Sequence, residues 1–295
     1  MRSGFCSIVG RPNVGKSTLV NRICGTKVSI VSDKVQTTRT QVRGVLTLQS
    51  PEDFADAQVV FVDTPGVLKP RTLLGERTNA AATASIGDVD VACLLIDATM
   101  PFGKGDRFVA SRLPASSFLV VNKVDLASRQ QVLRQLHAAS ELGFAEYFPI
   151  SAVDGSGIRP LIEAIVDRLP DGPMFYPVET VRETDDTVWV AELVREQLLA
   201  IAQEELPHSI ACRVVEWEDR DNGAPFVRIE ILVERESQKP IVIGKGGLVL
   251  KQVGTAVREQ LPPGAYVELF VKVAKDWQRS PHLLDRLGYR APGSD

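Results

Sequence analysis

An apolar run from Phe5 to Val9 leads directly into Gly10-Arg11-Pro12-Asn13-Val14-Gly15-Lys16-Ser17, and a helical pattern then runs from Lys16 to Cys24. Nothing else in this 295-residue chain restricts its fold so strongly. A GxxxxGK[ST] segment between a buried strand and a helix is a phosphate-binding loop. Its glycines let the backbone wrap phosphate oxygens with N–H groups pointing inward, and the helix start adds positive potential. Lys16 brings a point charge to the β- and γ-phosphates and Ser17 offers a hydroxyl to Mg²⁺, while Gly10, Asn13, Val14, Gly15 and Thr18 complete the phosphate cradle.

Such a loop needs a sheet behind it. Four further apolar runs, Val59 to Val62, Val91 to Ile96, Phe118 to Val121 and Tyr147 to Ile150, alternate with helical stretches. Near-continuously apolar strands are those buried on both faces of a parallel sheet. The pattern predicts a doubly wound, mostly parallel α/β domain, whose ligands sit beyond the carboxyl ends of the strands.

The remaining motifs fall at those ends. Asp63-Thr64-Pro65-Gly66 follows the run ending at Val62, so Asp63 can hold the shell of a Mg²⁺ ion and the Gly66 N–H is free to meet a γ-phosphate. Asn122-Lys123-Val124-Asp125 follows the run ending at Val121. A carboxylate at Asp125 accepts from the N1–H and the exocyclic amine of guanine, a donor pair that adenine lacks. Asn122 braces the loop, Lys123 covers the base, and a backbone N–H of Ser151-Ala152 reaches the guanine oxygen. Gln36-Thr37-Thr38-Arg39 lies between the first two motifs, where a loop threonine can complete Mg²⁺ coordination in the presence of the γ-phosphate and be released on hydrolysis. The expected ligands are thus GTP or GDP with Mg²⁺.

Leu169-Pro170-Asp171-Gly172-Pro173 closes this domain, and the pattern changes after Tyr176-Pro177. Val188 to Glu204 reads as an amphipathic helix, with Ala191, Val194, Leu198 and Ile201 on one face. Two alternating runs, around Ile210 to Val214 and Val227 to Val233, are joined near Asn222-Gly223 in hairpin fashion. A glycine-rich turn, a helix from about Leu248 to Gln260 and a strand from Ala265 to Val273 complete a smaller α+β module. The expected boundaries are 1–172 for the first domain, 173–180 for a linker and 181–295 for the second domain.

With a net charge of −3, the chain is no general polyanion binder, so a nucleic-acid site must be a local patch. From Ser237 to Arg258 the basic residues are Lys239, Lys245, Lys251 and Arg258, with no Asp or Glu among them. The four cysteines, Cys6, Cys24, Cys93 and Cys212, form no CxxC pair, which reads as reduced thiols in a cytosolic protein. No apolar run reaches membrane-span length, which leaves peripheral contact as the form of membrane association open to the chain.

Together, GRPNVGKSTLVNR at 10–22, QTTR at 36–39, DTPG at 63–66, NKVD at 122–125 and SA at 151–152 resemble the GTPases of the Era family. The likeness continues through Ile243-Gly244-Lys245-Gly246-Gly247, which is similar to the GxxG loop of a type II KH domain, and through the ending at Trp277 and Leu287-Gly288-Tyr289. A KH loop clamps nucleic-acid backbone. The resemblance implies a GTP-hydrolysing switch that binds the single-stranded 3′ region of small-subunit ribosomal RNA and assists assembly of the 30S subunit. It implies RNA contacts at Gly244, Lys245, Gly246, Gly247 and Lys251, and Thr38 rather than Thr37 as the metal-side threonine. Catalysis would then rest on Lys16, Thr38 and Gly66. Val67 stands where many small GTPases carry a water-orienting glutamine, so slow intrinsic hydrolysis is expected. Asn13 is a candidate to help hold K⁺ near the phosphates. The expected state is a cytoplasmic monomer. The competing reading keeps the GTPase but gives the second domain a protein or membrane client.

Overall fold

Residues 1–49, 55–67, 69–87, 89–201, 206–221 and 223–290 are described by a computed structural model. Strand β1 (Arg2–Val9) enters the interior at once and passes through the phosphate loop into α1 (Lys16–Cys24). β2 (Val42–Leu48) and β3 (Ala57–Asp63) follow, then α2 (Leu73–Gly87), β4 (Val91–Asp97), α3 (Lys104–Ala110), β5 (Phe118–Asn122), α4 (Arg129–Ser140), β6 (Glu146–Pro149) and α5 (Ile158–Arg168). The sheet order is β2-β3-β1-β4-β5-β6, with β2 antiparallel to β3 and the other pairs parallel. β3 and β4 are buried along their whole length, as strands covered by helices on both faces must be. The strand order departs from sequence order between β1 and β4, and the carboxyl ends of β1, β3 and β5 carry the loops bearing Lys16, Asp63 and Asn122.

β2 was not among the expected strands. It is an edge strand, half polar, and lacks the buried run that marks its neighbours. The chain that crosses to the second domain covers that edge: the Val45 N–H donates to the Val181 carbonyl at 3.1 Å, and the Glu183 N–H to the Arg43 carbonyl at 3.3 Å. The Gln58 side chain accepts from the N–H groups of Phe175 and Tyr176, and the Phe175 ring packs 4.9 Å from that of Phe5. The stretch expected as a linker is therefore fastened to the first domain, and it satisfies an otherwise exposed strand edge.

The second domain comprises α6 (Asp186–Ile201), α7 (Leu206–Ser209), β7 (Ala211–Asp219), β8 (Pro225–Val233), α8 (Lys239–Ile243), α9 (Leu248–Arg258), β9 (Tyr266–Val273) and α10 (Pro281–Arg286). β7 pairs with β8 antiparallel and β8 with β9 parallel. Its core gathers Val190, Val194 and Leu198 of α6 against Ile229 and Ile231 of β8 and Val253 and Val257 of α9. α6 starts two residues before the expected Val188, and the expected end of the helix at Glu204 lies outside the described residues, as does Asn222 of the expected hairpin turn. A smaller apolar cluster joins Leu74 of α2 to Trp277, Leu284 and Tyr289. At its rim, Arg77 of α2 donates to Asp285 at 2.6 Å and to the Tyr289 carbonyl at 2.7 Å.

Candidate functional site

The phosphate loop holds its shape through contacts that exclude side chains. Gly15 has φ +97°, and a Cβ there would lie 2.4 Å from the Asn122 amide nitrogen. Only glycine combines that backbone with that approach. Asn122 closes the gap by donating to the Val14 carbonyl at 2.8 Å, while its oxygen accepts from the Ala152 N–H at 2.9 Å. One buried side chain thus ties the phosphate loop to the loop after β6. Both amides expected to serve a guanine oxygen are engaged within the chain: that of Ala152 in this brace, and that of Ser151 with the Ser156 carbonyl at 2.9 Å.

Lys16 is buried, and its ammonium donates to the carbonyls of Gly10 at 3.3 Å and Arg11 at 2.9 Å. Burial lowers its pKa to about 8, against the pull of the Asp63 carboxylate. Asp63 is fully buried, and burial pushes its pKa up even though Ser17, Ser29 and Thr38 hydrogen-bond to it. Its Oδ2 accepts from Ser17 and from Ser29 at 2.6 Å each, and Thr38 lies 3.5 Å away. The Ser17 and Thr38 hydroxyls are 3.0 Å apart. Thr37 turns its own hydroxyl to the Lys34 carbonyl at 2.7 Å. So the fold brings Ser17, Thr38 and Asp63 to one point and leaves Thr37 out.

That point fits Mg²⁺. Asp63 Oδ1 is buried with no hydrogen-bond partner among the described residues, and two hydroxyls stand beside the carboxylate. Hard oxygen donors of this kind, completed by phosphate and water, are what the ion takes. A cavity of about 50 Å³ lies alongside, lined by Lys16, Ser17, Thr38 and Gly66 among others. Gly66 abuts Pro12, where a Cβ would meet the ring at 2.6 Å. Val67 packs onto the cluster of Val9, Leu94 and Ile96, so this side chain serves the core and orients no water.

On the base side, Asp125 is exposed, while Lys123 donates to the Asn13 carbonyl at 2.7 Å and to Asp97 at 2.6 Å. Asp97, at the end of β4, went unnoticed in the sequence. Burial would raise its pKa, but hydrogen bonds from Lys123 and Thr99 outweigh this and lower it. Two more residues escaped sequence reasoning. Ser29 bonds to Asp63, and Asp106 of α3 pairs with Arg11 of the phosphate loop at 2.9 Å. The position of Asp97 at a strand end was a usable signal; the other two depend on tertiary placement alone. Asn13 takes φ +63° and donates its amide to the Asp33 carbonyl at 2.7 Å.

The loop ahead of Thr38 meets the second domain. Arg39 donates to the Ile210 carbonyl at 2.7 Å and its guanidinium lies 5.6 Å from the Trp277 ring centre. Arg195 of α6 donates to the Thr37 carbonyl and pairs with Glu192. Beside these contacts runs an interdomain cleft of about 770 Å³, lined by Arg39, Glu192, Cys212 and Tyr289 among others. It is larger than the phosphate cavity, yet the invariant demands of phosphate chemistry are met only in the smaller one.

In the second domain, Gly244, Gly246 and Gly247 take φ values of +75°, +61° and +79°, with Lys245 between the first two. At its three glycines this turn presents bare backbone at the start of α9, whose first turn carries no acidic residue. Lys245 and Lys251 are exposed beside it, as are the apolar Ile241 and Leu248.

Comparison with known proteins agrees with this geometry. Residues 5–123 match the family model described as 50S ribosome-binding GTPase, and residues 205–278 match the KH domain. The chain is 40% identical to GTPase Era of Heliobacterium modesticaldum, covering 98% of this chain and 97% of that one. It is 41% identical to GTPase Era of Clostridium kluyveri, covering 98% and 100%. Among solved structures, an Aquifex aeolicus Era variant bound to GDP and AlF4⁻ is 35% identical, with a TM-score of 0.91 over 98% of this chain and 100% of that one. Era in complex with MgGDPNP and nucleotides 1506–1542 of 16S ribosomal RNA is 36% identical, with a TM-score of 0.91 over 98% and 99%.

Proposed function

Because this chain belongs to the Era family of GTPases, we propose that it is a GTP-driven switch that binds the single-stranded 3′ region of 16S ribosomal RNA and assists assembly of the 30S subunit. It binds guanine nucleotide and hydrolyses GTP, as the family does. The observation that carries the switch is the convergence of Ser17, Thr38 and Asp63 around a carboxylate oxygen that has no partner of its own among the described residues.

The residue assignments follow from that point. Ser17, Thr38 and Asp63 hold Mg²⁺, which when bound screens the charge on the β- and γ-phosphates. Lys16 and the backbone of Gly10, Asn13, Val14, Gly15 and Thr18 grip the phosphates. The Gly66 N–H meets the γ-phosphate. Asp125 reads guanine, supported by Asn122, Lys123, Ser151 and Ala152. The amide oxygen of Asn13 helps hold K⁺. Hydrolysis transfers the γ-phosphoryl group to water, and with Val67 packed against the core no side chain at that position orients the water. The intrinsic rate is accordingly slow.

Residues 1–172 form the catalytic domain and 181–295 the RNA-binding domain, with 173–180 between them. Gly244, Lys245, Gly246, Gly247 and Lys251 contact RNA backbone, in keeping with the glycine-rich turn at the start of α9. The protein acts as a monomer in the cytoplasm. Contacts from Arg39 and Arg195 link the loop at Thr38 to the RNA-binding domain, so nucleotide state and RNA affinity are coupled. By linkage, RNA then changes GTP affinity by the same factor.

The test is binding of a labelled single-stranded oligonucleotide, copied from the 3′ end of 16S ribosomal RNA, with a GTP analogue, with GDP and without nucleotide. Binding that is strongest with the analogue is expected. Equal affinity in all three states would refute the coupling. Absence of binding in every state would refute the RNA assignment and turn the second domain toward a protein or membrane client.

A further inference from the structure

One turn of α6 holds the loop ahead of Thr38 at both of its ends. At the near end, the Val31 N–H donates to Glu196 at 2.9 Å, and Glu196 also pairs with Lys27. At the far end, Arg195 donates to the Thr37 carbonyl. Glu192, one helical turn earlier, pairs with Arg195 and orients its guanidinium. Arg195 is completely buried, and Glu196 nearly so. These three residues sit on a helix of the second domain, more than 150 positions from the loop that they hold.

The far contact bears directly on the nucleotide site. The Thr37 carbonyl belongs to the peptide that links Thr37 to Thr38. Fixing its direction fixes the plane of that peptide, and with it the start of the Thr38 side chain. On the other side, Arg39 is fastened to the Ile210 carbonyl at 2.7 Å. Thr38 thus stands between two anchored neighbours, with its hydroxyl 3.0 Å from Ser17. A buried guanidinium that forms a charge-assisted hydrogen bond to a carbonyl, with a carboxylate behind it, is a rigid support.

We propose that Arg195 is a positioning residue for Thr38, so that the metal-facing half of the nucleotide site is complete only when the RNA-binding domain is docked through α6. The inference rests on the assignment of Thr38 to the metal side of the site. It goes beyond domain coupling in general, because it names the bond through which the second domain sets the position of a nucleotide-site residue. A purely structural ion pair between Arg195 and Glu192 would affect melting but would treat GTP and GDP alike.

The experiment measures release of a fluorescent non-hydrolysable GTP analogue and of fluorescent GDP from the full chain, across a range of Mg²⁺ concentrations. Arg195→Ala, Arg195→Lys and Thr38→Ala are compared with the parent, and a melting curve for each verifies folding. Arg195→Ala should speed release of the GTP analogue about tenfold, the factor set by one lost charge-assisted hydrogen bond, and leave GDP release unchanged. Arg195→Lys keeps the charge beside Glu192 without the two-pronged geometry, and should fall between the two. If Arg195→Ala does not fold, the Arg195→Lys result decides. Parent-like release of the GTP analogue from the arginine variants, alongside fast release from Thr38→Ala, would overturn the proposal and leave the nucleotide-site assignment standing. Parent-like release from Thr38→Ala would overturn both.

Discussion

Asp63 accepts the Ser17 hydroxyl at 2.6 Å through one carboxylate oxygen, while its other oxygen, equally buried, has no partner among the described residues. A buried, half-satisfied carboxylate is costly unless something else uses it. Asp63→Asn keeps the shape and removes the charge. The variant should need at least about tenfold more Mg²⁺ for half-maximal binding of a fluorescent GTP analogue, since a charge-assisted contact to the ion is lost. A titration of Mg²⁺ at fixed nucleotide reads this directly, and an unchanged midpoint would remove Asp63 from the metal site.

Lys16 yields a pH dependence. Its pKa is lowered by burial to about 8 in the nucleotide-free chain. Phosphate binding requires the ammonium and so raises that pKa. A group whose pKa rises on binding contributes its full share below the free-state value and loses it as pH climbs above. Nucleotide affinity should therefore be level up to about pH 8 and fall toward tenfold per pH unit beyond it, approaching that slope well above the midpoint. Lys16→Ala should bind weakly, without this inflection. Isothermal titration in buffers of different ionisation enthalpy would show proton uptake above pH 8 for the parent only.

How much of this was legible before the fold was known differs from residue to residue. The phosphate loop declared itself because glycine, lysine and serine at fixed spacing leave few other uses, and α1 runs over Lys16–Cys24 as its sequence predicts. Asp63 and Asn122 were found because each ends a buried strand. β2 and α2 were not found. β2 is a half-polar edge, and apart from Leu74 α2 buries Gly75, Thr78, Ala82 and Ser85, small or polar residues that give no apolar stripe. Their cover comes from the second domain and the crossing chain, which local periodicity does not register. For the same reason local periodicity does not show that Arg195 and Glu196 are buried against the first domain.

Asp125 is exposed beyond β5 and carries the base assignment. Its carboxylate accepts two hydrogen bonds from guanine, so Asp125→Asn should weaken GTP binding by about a thousandfold. The amide it introduces can donate to the C2 carbonyl of xanthine, so binding of xanthosine triphosphate should rise in the same variant. Competition of the two nucleotides against a fluorescent GTP analogue measures the switch. Weak binding of both would mean that the substitution had disturbed the loop rather than the base contact.

Asn13 donates its amide nitrogen to the Asp33 carbonyl at 2.7 Å, which leaves the amide oxygen for a cation. Hydrolysis measured in K⁺ should exceed that in Na⁺ at equal ionic strength, and Asn13→Ala should abolish the difference. Equal rates in the two salts for the parent would end this assignment.

Gly244 offers the sharpest separation of the two halves of the function. A Cβ at this position would lie 2.5 Å from Val249 Cγ2 and 2.8 Å from the Val249 nitrogen, on a backbone with φ +75°. Gly244→Ala must therefore shift the turn that starts α9. Lys245→Ala removes only a charge, since Lys245 is exposed. The first should abolish binding of the 16S-derived oligonucleotide. The second should weaken binding and reduce the slope of log affinity against log salt by about 0.7, the value for one phosphate contact on a single strand. Both variants should bind GTP and hydrolyse it at the parent's basal rate, because the turn lies outside the phosphate cradle and shares none of its contacts. Fluorescence anisotropy at several salt concentrations, with a basal GTPase assay on the same preparations, distinguishes a lost RNA contact from a misfolded chain. Undiminished RNA binding by Gly244→Ala would show that the RNA lies elsewhere on the second domain.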